Sequence, residues 1–201
     1  MMQDQFTKNI YENIQKAPVQ FSIDSLVVNK LNVVYEELAP KGKVPGKIVF
    51  SDMNGIFHDF TNIVESRDQY IRLEANGKLM DSGLFTATWM LPVDSLNDNF
   101  KLNIHLPEYN LTTLNEIVSP LAPVRIETGN VDNLTIVING SSISADIYMR
   151  FLYNDLIVNY LKNYPDDEFS KHKIYSAFIN SVVRNNNPRR KNGKPHIVDI
   201  T

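Results

Sequence analysis

The sequence contains no cysteine among its 201 residues. This absence excludes disulfide bonds, thiolate metal sites and a cysteine nucleophile. It leaves the cellular compartment open, although a chain without cysteine tolerates an oxidising periplasm well.

Histidine and glycine are scarce, with four and eight residues. No two of the histidines, His58, His105, His172 and His196, share a spacing typical of metal ligands. The glycines form no phosphate-binding loop and no nucleophile elbow. We therefore expect no metal, no cofactor and no enzyme active site.

Acidic residues suggest two weaker sites, a carboxylate pair and a calcium loop. Asp94, Asp98 and Glu108 lie in polar connections, where we expect them to be hydrated. The stretch from Asp52 to Gly55 resembles the start of a calcium loop, but the glutamate that closes such a loop is missing.

The sequence also lacks a long apolar run. No stretch approaches the roughly 18 residues that a membrane span requires. The first residues lack the basic and apolar regions of a signal peptide. If the protein works in the cell envelope, we expect these residues to be a piece of a longer chain.

Positive and negative residues are interspersed over most of the chain, and the formal net charge is -3. Nucleic acid is therefore not an expected partner, because binding to it needs a coherent basic face. Basic residues gather only near the end, from Arg184 to Lys194. This stretch predicts a solvated turn, with a weak anion or headgroup contact as the alternative.

The composition is typical of one folded domain, with 43% hydrophobic residues. We divide this domain, 1–201, into a helical lead-in over 1–18, a β meander over 19–165 and terminal strands or a tail over 166–201. Spacing predicts short helices at Asp4 to Lys16 and Leu111 to Val118. The second would have Asn110 or Thr112 as N-cap and Pro120 as terminator.

Alternating polar and apolar residues predict many short strands, most clearly from Lys101 to Leu106. Turns are expected at Asn29-Lys30, Asn76-Gly77, Asn139-Gly140 and Asn154-Asp155. A last strand is expected at His196 to Thr201, and Lys173 to Arg184 fits a helix or a strand. The fold class predicted is mainly β: an antiparallel meander forming a curved open sheet or half-barrel groove, with one or two short helices.

An antiparallel sheet with one apolar face must cover that face with another sheet, a partner or an apolar ligand. The residues predicted to form it are Leu102, Ile104, Leu134, Ile136, Ile138, Ile143, Ile147 and Met149. A closed sandwich or barrel core is the alternative explanation of the same alternation.

Several segments, taken in order, resemble the AsmA-like class of envelope proteins, which is related to TamB. They are the strand pair from Phe21 to Tyr35-Glu36, Leu106-Pro107 followed by Tyr109 to Asn115, Ile126 to Gly129, and Met149 to Leu156. Together they cover about Phe21 to Lys162.

The resemblance implies a periplasmic, non-enzymatic protein, anchored in the inner membrane in its full-length form. It implies an apolar β groove for phospholipid or other acyl lipids, a role in outer-membrane lipid transport or assembly, and contacts with neighbouring repeats of the same chain. Membrane contact would come through flanking regions. The alternatives are a closed β-sandwich scaffold that binds proteins through an edge strand, and a hydrolase or glycan-binding protein built on scattered carboxylates.

Overall fold

Long antiparallel strands dominate the chain. The computed structural model describes residues 14, 16–40, 42–94, 98–141, 143–161, 184–189, 193–195 and 197–200. Within these residues, nine strands form one sheet. They are β1 (Ser22–Glu37), β2 (Gly46–Thr61), β3 (Tyr70–Leu79), β4 (Gly83–Pro92), β5 (Phe100–Leu106), β6 (Tyr109–Asn110), β7 (Val124–Gly140), β8 (Ala145–Tyr160) and β9 (Ile197–Ile200).

The sheet is an open meander. Its strands follow the order β1-β2-β3-β4-β5-β7-β8-β9, and the short β6 pairs with β7 beside this path. All the pairings are antiparallel, and β1 and β9 lie at opposite ends of the order. The predicted fold class, a mainly β open sheet that does not close into a barrel, is confirmed.

Alternation along the strands creates two distinct faces. On β3, Ile71, Leu73 and Ala75 are less exposed than Arg72 and Glu74, which lie between them. We call the side that carries Ile71, Leu73 and Ala75 the inner face and the side that carries Arg72 and Glu74 the outer face. Because paired residues of neighbouring strands project to the same side, the register carries these two faces across the sheet.

A helical connection joins β6 to β7. It consists of a 3-10 turn (Leu111–Leu114) and helix α1 (Asn115–Leu121). Asn110 is the N-cap, as predicted: its Oδ1 accepts a hydrogen bond from the backbone N–H of Thr112 at 2.9 Å. The expectation that Pro120 ends the helix is wrong, because Pro120 lies inside the last turn. So close to the end, proline removes only one helical hydrogen bond.

Asn115 attaches this helix to β7. Its side-chain amide donates to the carbonyl of Ile126 at 2.7 Å, and its Oδ1 accepts from the N–H of Ile126 at 2.8 Å. Ile126 pairs with β8 on its other side. The amide of Asn115 therefore takes the place of a neighbouring strand where β5 has already ended.

The position of α1 shows that the sheet is curved. The helix contacts β7 and also the start of β2, where a Cβ added at Gly46 would lie 2.7 Å from the carbonyl oxygen of Ile117. Three strands separate β2 from β7, so a flat sheet would hold them roughly 19 Å apart. A helix of this length extends only about 10 Å. The sheet must therefore curl toward its inner face at this end.

Two clusters of buried side chains stabilise the curled sheet. The first lies beside the 3-10 turn and contains Met80, Phe85, Leu106, Tyr109, Leu111 and Val131. The second contains Ile71, Leu91 and Val93, with Ile14, Phe57, Phe60 and Trp89 packed against it. The two clusters share no residue.

Three of the four predicted turns lie inside strands, so those predictions are wrong. Asn29-Lys30, Asn76-Gly77 and Asn154-Asp155 belong to β1, β3 and β8. Lys30 and Asp155 have positive φ and coincide with irregularities of strand register, so the chain uses these turn-forming residues to bend strands. The fourth pair, Asn139-Gly140, ends β7, and the turn itself follows at Ser141 to Ser144.

The hairpin between β3 and β4 turns at Met80-Asp81 instead of Asn76-Gly77. Both Met80 and Asp81 have positive φ, and Ser82 N–H donates to the Leu79 carbonyl at 3.2 Å. Met80 is buried in the first cluster, and its N–H donates to the Val49 carbonyl at 2.8 Å. Burial of Met80 thus outweighs the turn preference of asparagine and glycine.

Some predictions fall on residues that the structure does not describe. Most of the expected helix from Asp4 to Lys16 and almost all of Lys173 to Arg184 lie outside the described residues. The expected last strand is confirmed as β9.

Candidate functional site

Seven of the eight residues predicted to form the apolar face lie together on the inner face. Leu102, Ile104, Leu134, Ile136, Ile138, Ile147 and Met149 occupy paired positions of β5, β7 and β8. The prediction that Ile143 belongs to this face is wrong. Ile143 lies in the turn between β7 and β8 and is 92% exposed, because β8 begins only at Ala145.

Strand pairing arranges the inner face in two rows that run across the sheet. The first apolar row is Phe57, Leu73, Trp89, Leu102, Ile138 and Ile147; the second is Gly55, Ala75, Ala87, Ile104, Ile136 and Met149. Each row crosses six strands, from β2 to β8. With strands about 4.8 Å apart, a row measures roughly 24 Å.

The middle of this face belongs to neither buried cluster. Leu134 packs against the first cluster and Trp89 against the second, whereas Leu102, Ile104, Ile136, Ile138, Ile147 and Met149 pack against neither. All six are partly exposed. Between its two packed ends the sheet therefore presents an apolar surface that is still accessible to a ligand.

Small residues make part of this surface shallow. On β2, β3 and β4 the second apolar row consists of Gly55, Ala75 and Ala87, while the first row carries Phe57, Leu73 and Trp89 at the neighbouring positions. The second row therefore carries less side-chain volume than the first on these three strands, and Leu73 Cδ1 occupies the space beside Gly55, 3.2 Å from where a Cβ would lie.

Trp89 adds one polar group to the inner face. It is the sole tryptophan of the sequence, and its indole N–H is buried without a hydrogen-bond partner among the described residues. A buried donor without a partner costs about 1 to 3 kcal/mol. The indole also gives the inner face an intrinsic fluorescent reporter.

Sequence reasoning missed the contribution of β3 and β4 to this face. Leu73, Ala75, Ala87 and Trp89 alternate with polar residues, which is the signal that would have identified them. The turn wrongly expected at Asn76-Gly77 placed a chain reversal within β3 and concealed this alternation.

Charged residues gather on the outer face. Arg72 and Glu74 form an ion pair at 3.1 Å, and Lys78 Nζ lies 2.7 Å from Asp52 Oδ2. His58 Nε2 is 3.8 Å from Glu74, too far for a hydrogen bond, and is buried without one. His105 is exposed on this face. Among the described residues, no group of three or more His, Asp or Glu side chains could hold a metal ion.

The two long edges of the sheet differ. The outer edge of β8 is paired with β9 and then with Asn187, whose N–H and carbonyl exchange hydrogen bonds with Tyr153 at 2.9 and 3.0 Å. β1 lies at the opposite edge and exposes apolar side chains on both faces, including the adjacent Val33 (39%) and Val34 (53%). Among the described residues, no strand pairs with the outer edge of β1.

Comparisons of this chain with protein-family models, with curated proteins and with solved structures gave no match. The resemblance to the AsmA-like class therefore stays a prediction. In the described part of the chain, no helix is long and apolar enough to cross a membrane.

Proposed function

We propose that this chain is a non-enzymatic module whose inner face holds the acyl chains of phospholipid or another lipid. The observation that carries the proposal is the pair of apolar rows, which remain partly exposed between the two buried clusters. A surface of this kind loses water favourably when an apolar chain covers it. The rows run straight across six strands, which suits an elongated ligand.

The size of the surface is sufficient for measurable binding. Burying a methylene group contributes about 0.8 kcal/mol, so six methylenes contribute about 5 kcal/mol. A dissociation constant of 1 mM corresponds to roughly 4 kcal/mol. Contact along six methylenes is therefore enough for millimolar binding, and retention through purification requires contact along most of an acyl chain.

The proposed setting is the periplasm, within a longer protein anchored in the inner membrane. This part of the proposal follows from the resemblance to AsmA-like proteins. A row of roughly 24 Å is shorter than the gap between two membranes, so we infer that the module shields lipid as one part of a longer groove. Its contribution to outer-membrane lipid transport or assembly would depend on neighbouring repeats.

Native mass spectrometry of the chain purified from a bacterial host, followed by lipid extraction, tests the proposal. Ile136 and Val137 provide a matched pair, because they are adjacent on β7 and project to opposite faces. We expect the wild type to carry lipid, Ile136→Asn to lose it and Val137→Asn to keep it. Circular dichroism establishes that both variants remain folded.

A wild-type chain that is folded but free of lipid would contradict the proposal. So would equal lipid retention in the two variants, because binding would then be independent of the inner face. Loss of lipid from Val137→Asn alone would indicate that the lipid binds the outer face.

The open edge of β1 favours a second candidate function, a scaffold that binds a protein partner by strand addition. Such binding uses the unpaired backbone groups of an edge strand. Val34 is more than half exposed on this strand, and Glu36 and Glu37 follow it. The partner would be an extended apolar strand, such as the terminal strand of a neighbouring repeat.

Sedimentation velocity over a range of concentrations tests this candidate with the chain itself as the partner. We expect the wild type to self-associate and Val34→Lys to remain monomeric, because a charge on an edge strand opposes pairing. A wild type that stays monomeric at all concentrations, or association unaffected by Val34→Lys, would exclude this use of β1.

A further inference from the structure

A row of polar side chains crosses the outer face of the sheet. Strand pairing places Asn54, Asn76, Thr86, His105, Thr135 and Arg150 opposite one another on six successive strands of the sheet order. Their spacing is that of the strands, about 4.8 Å. We call this set the outer polar row. It lies on the side of the sheet opposite the apolar rows, so it is independent of the proposed lipid site.

Part of this row lines a depression of about 430 Å³. Asn54, Asn76, Thr86 and His105 contribute to its lining. The volume lies within the range of small-molecule sites, about 300 to 1,000 Å³. From Asn76 to His105 the row spans two strand spacings, roughly 10 Å, which suits a ligand of one or two rings.

Three of the lining side chains have unused hydrogen-bonding capacity. Within the described part of the chain, the side chains of Asn76, Thr86 and His105 make no hydrogen bond or ion pair. Together an amide, a hydroxyl and an imidazole can both donate and accept hydrogen bonds. Because β3, β4 and β5 are paired here, the backbone positions that carry the three side chains are fixed relative to one another.

The charges at the depression compensate each other. Asp52 and Lys78 also line it and form an ion pair at 2.7 Å. The hydrogen bond from Lys78 holds the pKa of the Asp52 carboxyl below its usual value, and the same bond raises the pKa of Lys78. Asn54, Asn76 and Thr86, which also line the depression, are uncharged. The lining therefore gives little preference to an anion or a cation.

An apolar wall completes the depression. Leu84 is 63% exposed, and it lines the depression together with Pro107. Sites of this composition bind ligands that combine an apolar surface with several polar groups. A sugar ring has this combination, since its C–H groups form an apolar face and its hydroxyls project around the edge.

We propose that the depression at Asn76, Thr86 and His105 is a binding site for a neutral sugar, as a monosaccharide or one end of a glycan. The three side chains exchange hydrogen bonds with the sugar hydroxyls, and Leu84 and Pro107 contact its C–H face. The ion pair of Asp52 and Lys78 closes one end of the site.

NMR titration of the ¹⁵N-labelled chain tests this assignment. The probes are glucose, galactose, mannose and N-acetylglucosamine, with glucuronate as the charged comparison. We expect saturable millimolar shifts of the backbone amides of Asn76, Thr86 and His105 with at least one neutral sugar. Glucuronate should bind no more tightly than that sugar.

Thr86 and Thr88 provide a matched pair of variants. Both lie on the outer face of β4, but only Thr86 lines the depression. Thr86→Val removes one hydroxyl without changing the shape of the side chain, and we expect it to weaken binding about two- to tenfold. Thr88→Val should bind as the wild type does. The amide spectra of the free variants establish that both are folded.

Three results would overturn the assignment. The first is the absence of a saturable shift with all four neutral sugars. The second is binding that is equally strong in the wild type and Thr86→Val, because the sugar would then not use the depression. The third is preferential binding of glucuronate, which would mean that the site selects an anion.

Discussion

Replacing Asn115 by alanine tests how the curl of the sheet is maintained. The Asn115 side chain makes two hydrogen bonds with the backbone of Ile126, at 2.7 and 2.8 Å. It thereby holds α1 against β7 beyond the end of β5, together with Ser119, whose hydroxyl donates to the Val124 carbonyl at 3.0 Å. Alanine removes both bonds and leaves a partly buried N–H and a partly buried carbonyl without protein partners.

The expected loss of stability can be estimated from these two bonds. A typical hydrogen bond contributes about 0.5 to 1.5 kcal/mol net, and an unsatisfied buried group costs more. For two partly buried groups we expect the free energy of unfolding to fall by about 2 to 3 kcal/mol. In a chain of this size, each 1 kcal/mol lowers Tm by about 2 to 4 °C.

Urea denaturation followed by the fluorescence of Trp89 measures the change. Asn115→Asp keeps the acceptor for the Ile126 N–H but loses the donor to the Ile126 carbonyl. Its loss of unfolding free energy should therefore be at least half that of Asn115→Ala. Asn139→Ala, at an exposed outer-face position, is the matched control and should change stability by less than about 0.5 kcal/mol. If Asn115→Ala lowers the free energy of unfolding as little as this control does, the two hydrogen bonds do not hold the helix in place.

Three further predictions concern single residues. The pKa of Asp52 is lowered, so its ion pair contributes to stability above the ordinary pKa of 3.8, and this contribution is lost as the pH falls through the folded pKa. Lys78→Met should return the pKa of the Asp52 carboxyl, measured by NMR, toward the ordinary value. Gly46→Ala should lower Tm, because the new Cβ would lie 2.7 Å from the Ile117 carbonyl oxygen; an unchanged Tm would mean that α1 can move away. Asn110→Ala should cost about 1 kcal/mol in urea denaturation through loss of the N-cap, and a loss below a few tenths would show that the cap is replaceable.

Local patterns in the sequence predicted much of the fold. The alternation from Lys101 to Leu106 assigned Leu102 and Ile104 to the apolar face, and the same reasoning assigned Ile136 and Ile147. These predictions succeeded because side chains alternate between the two sides of any strand, whatever lies around it. The cap at Asn110 was predictable for the same reason, since it involves only neighbouring residues.

Predictions of chain reversal failed because turn preferences are weak compared with burial. Asn76-Gly77 continues β3, where a side chain on Gly77 would collide with Met53. The reversal occurs at Met80, a poor residue for positive φ that is buried in the first cluster. Only contacts between residues distant in sequence could reveal this choice.

The sequence by itself determined which side chains share a face of the sheet, because that depends on the two-residue period of a strand. The tertiary structure decided how the faces are used. The position of α1 between β2 and β7 curls the sheet, and strand register aligns residues from six strands into the apolar rows and the outer polar row. Register and curvature depend on packing between distant segments, which no local pattern encodes.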